Sequence, residues 1–177
     1  MKQRRHLVIS LLLIGILIGA WLYRNAIKEI IGTATVQSTD LSRLKYAQLR
    51  LNQSFNPRSV DVRQAGEQPK LSDYRLGGQQ GALVTTNARR QVVGLALLDT
   101  VSGGDNHFDN GLALNLTLSH VKRLLGSHYV MFDTERYGPV VLFVDKVHNY
   151  RLLLGLDATK RVTALVLYNR RQYDYQY

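Results

Sequence analysis

The sequence predicts an α+β fold: an N-terminal transmembrane helix followed by a tandem repeat of helix plus antiparallel β-meander. Three observations carry that expectation. Residues 7–23, LVISLLLIGILIGAWLY, hold no charge. The stretch NARRQVVGLALLD, residues 87–99, is written again about seventy residues later as DATKRVTALVLYN, residues 157–169. Each copy is preceded by a helix-spaced apolar stripe and by short segments of strand character.

The first segment is taken as a membrane span. About twenty apolar residues cross a bilayer, with a lower limit of about seventeen. A soluble core helix would keep a polar face, and this run has none. The basic tip MKQRRH precedes it, and Trp21 and Tyr23 sit at its end as residues suited to a membrane interface. Ile18-Gly19-Ala20 fits a small-x-small cleavage site poorly because Ile18 is bulky, so an uncleaved signal anchor is expected ahead of a cleaved signal peptide. The chain has no cysteine, which excludes a lipid-modified cysteine and disulfides. Lys2, Arg4 and Arg5 lie before the span, and Arg24 and Lys28 after it. The expectation is a single-pass protein of the cell membrane with its body outside the cytoplasm.

Lys and Arg outnumber Asp and Glu by 23 to 13, a formal charge of +10. Residues 38–177 carry 18 against 12, or +6. A solubilising surface explains such an excess. The functional reading is attraction to an anionic neighbour, either cell-wall polymer or lipid headgroups. Nucleic acid is not expected as a partner, since no basic helix or aromatic-interleaved motif occurs and the body is placed outside the cell.

In chain order, residues 1–23 are the basic tip and anchor, and residues 24–40 continue the helix into a juxtamembrane linker. Asp40 is expected to cap a helix over LSRLKYAQLRLNQSF, residues 41–55, with Leu41, Leu44, Leu49 and Leu51 as its stripe. In SVDVRQ, Val60 and Val62 alternate inward. ALVTT and QVVGLALL flank a hairpin turn from Asn87 to Arg90. Residues 41–99 form the first repeat, and the Gly- and Asx-rich 100–111 is a connecting loop. Residues 112–177 form the second repeat with a Tyr-rich tail. There Thr117 caps LSHVKRLLG, with Leu118, Val121, Leu124 and Leu125 on one face and Gly126 as the stop. HYVMFD, VVLFV, YRLLLGL and RVTALVLYN read as strands. A sixty-residue unit buries too little surface alone, so the copies are expected to share one core under a curved sheet.

The strings LTLSHVKRLLG, ERYGP and NYRLLLGLDATKRVTALVLYN resemble the CAP-associated N-terminal domain of Gram-positive bacteria. Leu125-Gly126, Tyr137-Gly138 and Tyr150 occupy the family's positions. The family's Trp after Tyr-Gly is replaced here by Pro139-Val140-Val141-Leu142-Phe143, and no CAP domain follows. The helix-plus-meander pattern is also similar to β-lactamase inhibitor proteins and small outer-membrane assembly lipoproteins. The resemblance implies a binding or structural role outside the cell, with no catalytic residue to carry over.

Chemistry is sparse. In DNHFDNG, residues 105–111, Asp105, His107 and Asp109 alternate as Ca²⁺ ligands would. The glycine comes at the seventh position instead of the sixth, and Leu116 stands where a bidentate Glu is required, so a turn is expected and no metal. There is no GxSxG elbow and no cysteine nucleophile, and Asp133 and Glu135 fall in an expected turn. No catalytic, cofactor or metal residues are assigned. The partner-binding candidates are Tyr137, Arg170, Arg171, Tyr173 and Tyr175, because Tyr and Arg are enriched in binding hot spots. The sequence therefore points to a non-enzymatic binding or structural domain contacting cell-envelope components, an anionic wall polymer or an exported protein. A wall-active hydrolase or an inhibitor of an exported enzyme is the alternative.

Overall fold

The computed structural model describes residues 24–58, 62–68, 70–76, 81–98, 107–173 and 175. Helix α1 is Arg24–Thr35. Strands β1 Val62–Gln68, β2 Leu71–Leu76, β3 Ala82–Asn87 and β4 Val92–Leu98 follow. Helix α2, Leu118–Leu125, precedes β5 Val130–Thr134, β6 Gly138–Asp145, β7 Tyr150–Leu156 and β8 Val162–Asn169. The strands form one antiparallel sheet in the order β1-β2-β3-β4-β8-β7-β6-β5. Two four-strand meanders thus meet at their last strands, leaving β1 and β5 as the edges.

The meeting is close to two-fold symmetric. Across β3–β4, Ala82 faces Leu97; across β7–β8, Leu152 faces Leu167, each residue seventy positions further on. The bulge between Thr85 and Thr86 recurs between Gly155 and Leu156. In the β4–β8 ladder, Ala96 pairs with Val166, its own counterpart, so the pseudo-axis passes through that pair.

One face of the sheet carries Ala82, Val84, Leu95, Leu97, Val141, Phe143, Leu152, Leu154, Leu165 and Leu167, all buried in a single cluster. It is covered by Leu41, Leu44, Tyr46, Leu49, Leu51 and Phe55, by Phe108 and Leu112, and by Leu118 and Val121 of α2. The other face buries Val130, Phe132, Val140, Leu142, Val144, Leu153, Val166 and Tyr168 under Val36, Tyr137, Tyr173 and Tyr175. Strands β6 to β8 are therefore buried on both sides. That is why VVLFV and ALVLY read as unbroken apolar runs.

The expected fold class is corrected by these elements. The described chain is an eight-stranded antiparallel sheet with two short helices, not a tandem of helix-plus-meander units. No described helix is long and apolar enough to cross a membrane. The expected span, residues 7–23, lies outside the described residues, as does Val60.

The helix expected over residues 41–55 does not form. Ala47, Gln48 and Asn52 take φ of 48°, 68° and 63°, left-handed values that interrupt any helix. Asp40 closes a local turn instead of capping, its Oδ1 accepting from Ser42 N at 3.0 Å and Ser42 Oγ at 2.6 Å. Leu41, Leu44, Tyr46, Leu49, Leu51 and Phe55 are all buried, so the apolar residues act as separate pegs into the core. In the second half α2 does form. Thr117 Oγ1 accepts from His120 N at 3.3 Å, and Gly126 ends the helix at φ 86°.

The duplicated unit is instead a hairpin with its lead-in. LRLNQSF, residues 49–55, matches LALNLTL, residues 112–118. Asn52 N donates to Val92 O at 2.7 Å and Asn115 N to Val162 O at 2.8 Å. Phe55 N donates to Arg90 O at 2.7 Å and Leu118 N to Lys160 O at 3.0 Å. Asn52 and Asn115 both sit near φ +60°, at 63° and 64°, a conformation Asn tolerates better than most residues. The halves diverge only after this point, the first turning at Asn56-Pro57-Arg58 and the second entering α2.

Candidate functional site

The second sheet face differs between the halves. Over β5 to β8 it is apolar and covered. The first half presents Asp73, Leu83, Thr85, Gly94, Ala96 and Leu98 there instead, around a cavity of about 210 Å³. Arg136, Val166, Tyr173 and Tyr175 complete its wall.

The tyrosines are held in place by the chain after β8. Asn169, almost fully buried, receives Tyr173 N at its backbone oxygen at 2.9 Å and Arg171 N at its Oδ1 at 3.0 Å. Its Nδ2 donates to Asn52 Oδ1 at 3.0 Å, and Asn52 Nδ2 donates to Tyr150 OH at 2.8 Å. Asn87 Nδ2 reaches Gln172 Oε1 at 2.9 Å. Amides from both halves thereby fix the turn that launches the tail. This polar network is satisfied through mutual side-chain bonds, as a half-buried network must be to persist.

From that turn Tyr173 packs onto β4. A Cβ on Gly94 would lie 2.9 Å from the Tyr173 ring and 3.3 Å from Thr85 Cβ, so the bare backbone of Gly94 gives the ring its seat. Tyr173, Tyr175 and the buried Tyr168 form a ring cluster with centroids 5.7–6.3 Å apart. The Tyr137 and Tyr175 hydroxyls are hydrogen-bonded to each other. Above them lies the Arg136 guanidinium, 5.3 Å from the Tyr137 centroid and 6.0 Å from that of Tyr175. Thr85 Oγ1 donates to Asp73 Oδ1 at 2.6 Å, and the Tyr173 hydroxyl bonds to Thr85.

Burial pushes the Tyr173 phenol above its ordinary range, opposed by the bond to Thr85. Burial and the Tyr137 hydroxyl push Tyr175 up further. Both rings are neutral phenols at physiological pH. The cavity thus offers aromatic faces, neutral hydroxyls, one carboxylate and one guanidinium. Such a set has the chemistry to hold and orient a polar ligand. Among its described lining residues Asp73 is the one carboxylate, and it accepts the Thr85 hydroxyl.

Of the sequence candidates, Tyr137, Tyr173 and Tyr175 are brought together here. Arg170 and Arg171 stand exposed in the turn after β8, and the cation over the rings is Arg136. Arg136, Asp73, Thr85 and Gly94 were not singled out from sequence. The one signal pointing to them is Gly94 itself, a glycine inside the apolar run QVVGLALL, which marks a close approach in a strand. The Tyr-rich tail begins as a turn through residues 170–172, with Tyr173 outside any strand.

A second cluster has metal-ligand chemistry. Ligand atoms of Asp40, Asp145 and His148 lie within 4.8 Å of one another. Asp145, however, is 1% exposed and fully occupied by donors: Leu41 N at 3.0 Å, Val147 N at 3.0 Å, His148 N at 2.9 Å and His148 Nδ1 at 2.8 Å. It is a clasp between residue 41 and the β6–β7 hairpin. In the DNHFDNG loop, Asp105 lies outside the described residues. Asp109 pairs with Lys45 at 3.8 Å, and Asn110 Oδ1 accepts from Leu112 N at 3.1 Å. Compared with known proteins, the chain matches no family model, no curated protein and no solved structure.

Proposed function

We propose that this chain is a membrane-anchored, extracytoplasmic, non-enzymatic binding domain, and that the cavity on the first half's sheet face receives an anionic polymer of the cell envelope. The observation that carries the reading is the cavity walled by Tyr173, Tyr175, Arg136 and the Thr85–Asp73 pair. Ring faces suit the apolar faces of sugars, and the guanidinium suits a carboxylate or phosphate with its planar fork. The net charge of +6 over residues 38–177 adds a long-range pull on an anionic chain. The uncharged run of residues 7–23 and its basic flank support the anchor and the outward orientation. The resemblance to the CAP-associated N-terminal domain points the same way, toward binding without catalysis.

The test is retention on wall polymer. The full chain in nanodiscs is sedimented with purified, protein-free cell-wall sacculi bearing their anionic polymers. Arg136→Ala and Tyr175→Ala should each weaken retention by about 5- to 30-fold, equivalent to about 1–2 kcal/mol. Arg170→Ala, away from the cavity wall, should change it little. Equal loss in all three variants would reduce the effect to general charge, and unchanged retention in Arg136→Ala and Tyr175→Ala would remove the cavity from the interaction.

A further inference from the structure

Helix α1 is amphipathic the wrong way round for a helix lying on a protein body. The residues turned toward the sheet are Glu29, Gly32, Thr33 and Val36, at the spacing of one helical face. The residues turned away include Ile27, Ile30 and Ile31, which are 42%, 67% and 58% exposed. Three of the five large apolar side chains exposed among the described residues are on this one helix. The hydrophobic effect would ordinarily place the isoleucines inward.

The inversion is not a loose fit. Gly32 lets α1 approach β5 so closely that a Cβ there would lie 2.4 Å from Val130. Glu29 pairs with Arg151 at 3.0 Å, both largely covered. Lys146 Nζ donates to Ala34 O at 2.8 Å, Lys146 N to Ser38 Oγ at 2.9 Å, and Thr39 N to Val144 O at 2.9 Å. The helix is clasped to the sheet with its apolar side presented outward.

What meets that side follows from the chain just before it. The uncharged run of residues 7–23 has 17 residues. At about 1.5 Å per residue it would cover about 26 Å as a helix, short of a hydrocarbon core of about 30 Å. The deficit is about three residues, and the headgroup layer adds several ångströms more. Ile27, Ile30 and Ile31 come four to eight residues after Tyr23, within that layer. Lys28, exposed between them, has the reach to place its ammonium among headgroups while its stem stays apolar.

We infer that α1 is a lipid-contacting helix: Ile27, Ile30 and Ile31 insert into the headgroup layer of the membrane that residues 7–23 cross, seating the β-sheet body on the bilayer in a fixed orientation instead of on a free stalk. This rests on the anchor reading above. It adds that the body is docked through α1, with the Tyr–Arg136 cavity held at a set angle to the membrane.

The chain lacks cysteine, so single labels are clean. Ile30→Cys and, as an aqueous reference, Arg89→Cys at the exposed β3–β4 turn are labelled with a nitroxide in the full chain. Each is reconstituted in phosphatidylcholine–phosphatidylglycerol vesicles. Collisions with oxygen, which concentrates in lipid, are compared with those of a water-soluble nickel chelate. The Ile30 label should show a several-fold higher oxygen-to-nickel ratio than the Arg89 label. In an Ile27→Ser/Ile31→Ser background that ratio should fall toward the Arg89 value while the protein stays in the vesicles. If the Ile30 label equals the Arg89 label in vesicles that retain the protein through alkaline carbonate, the docking is overturned and the anchor stands. If carbonate strips the protein off, the anchor reading falls and the docking with it. Spin–spin broadening at Ile30 that disappears on dilution with unlabelled chain would assign the face to a second copy, which also overturns the proposal.

Discussion

Asp145 shows how a single buried carboxylate organises its surroundings. Its pKa lies below the ordinary value of 3.8: burial pushes it up, but the N–H groups of His148 and Leu41 and the His148 ring outweigh that. A group whose folded-state pKa is depressed stabilises the fold above its unfolded value and loses that stabilisation as pH falls through the folded value. The clasp should therefore be intact at neutral pH and weaken on acidification below about pH 4. Asp145→Ala leaves Leu41, Val147 and His148 N–H groups without their acceptor, a cost of about 1–3 kcal/mol at pH 7. Urea unfolding at pH 7 and pH 3 would check this. The difference between wild type and variant should be large at pH 7 and shrink at pH 3; a difference independent of pH would mean the ionised carboxylate is not what holds residue 41. The bonds from Val147 and His148 N, two and three residues on, are the kind a turn Asp announces locally. The clasp itself was not legible, because its other donor is Leu41 N, 104 positions earlier.

At the scale of the element, the hairpins were readable and the first helix was not. Asn87 Oδ1 accepts from Arg89 N and Gln91 N, each at 3.0 Å. Asp157 Oδ1 accepts from Thr159 N and Arg161 N, each at 2.8 Å. Arg90 and Lys160 then take φ of 57° and 61°. These are local bonds between residues two to four apart, so the side-chain type announces the turn. Asn87→Ala removes the one oxygen that accepts both bonds and should cost about 0.5–2 kcal/mol. Asp157→Ala should also lower the melting temperature, whereas Asp157→Asn should recover most of the loss, because Asn at the corresponding turn does the same work. Thermal melts of the three variants decide it; a Asp157→Asn variant no better than Asp157→Ala would tie the turn to charge instead of geometry. Residues 41–55 misled because Leu41, Leu44 and Leu51 keep a helix-like spacing while entering one core from a chain that turns at Ala47, Gln48 and Asn52. The tighter clue was the repeated LxLNx(S/T)(F/L) string at residues 49–55 and 112–118, whose Asn takes positive φ and bonds through its N–H to a hairpin well further along the chain. The cavity was half legible. Tyrosines at the end of the chain drew notice by composition, but Asp73 and Thr85 are brought to them by strand register, which no local pattern encodes.

At the scale of the molecule, the β4–β8 ladder decides whether the two meanders behave as one. Leu95 faces Leu167 and Leu97 faces Leu165, and all four are at most 1% exposed in the same cluster as Val84 and Leu152. Leu41 to Phe55, from the first half, and Phe108 to Val121, leading into the second, cover that cluster together, and Tyr46 and Phe108 meet at 5.7 Å between ring centroids. Both halves contribute to this one cluster, and the β4–β8 ladder runs through it. Leu167→Ala should then cost about 2–5 kcal/mol, through lost transfer energy and the cavity left behind. That is a large share of the roughly 5–15 kcal/mol that holds a typical domain folded. The loss should appear in both halves, although the substitution lies in the second. Amide hydrogen exchange on the full chain in nanodiscs would read it out. Residues 82–98 should lose protection in step with residues 150–169, since opening either hairpin exposes the face of the other. Protection retained across residues 82–98 while residues 150–169 open would mean that the first meander stands without its mate, and the continuous sheet would then be two folding units joined at a seam.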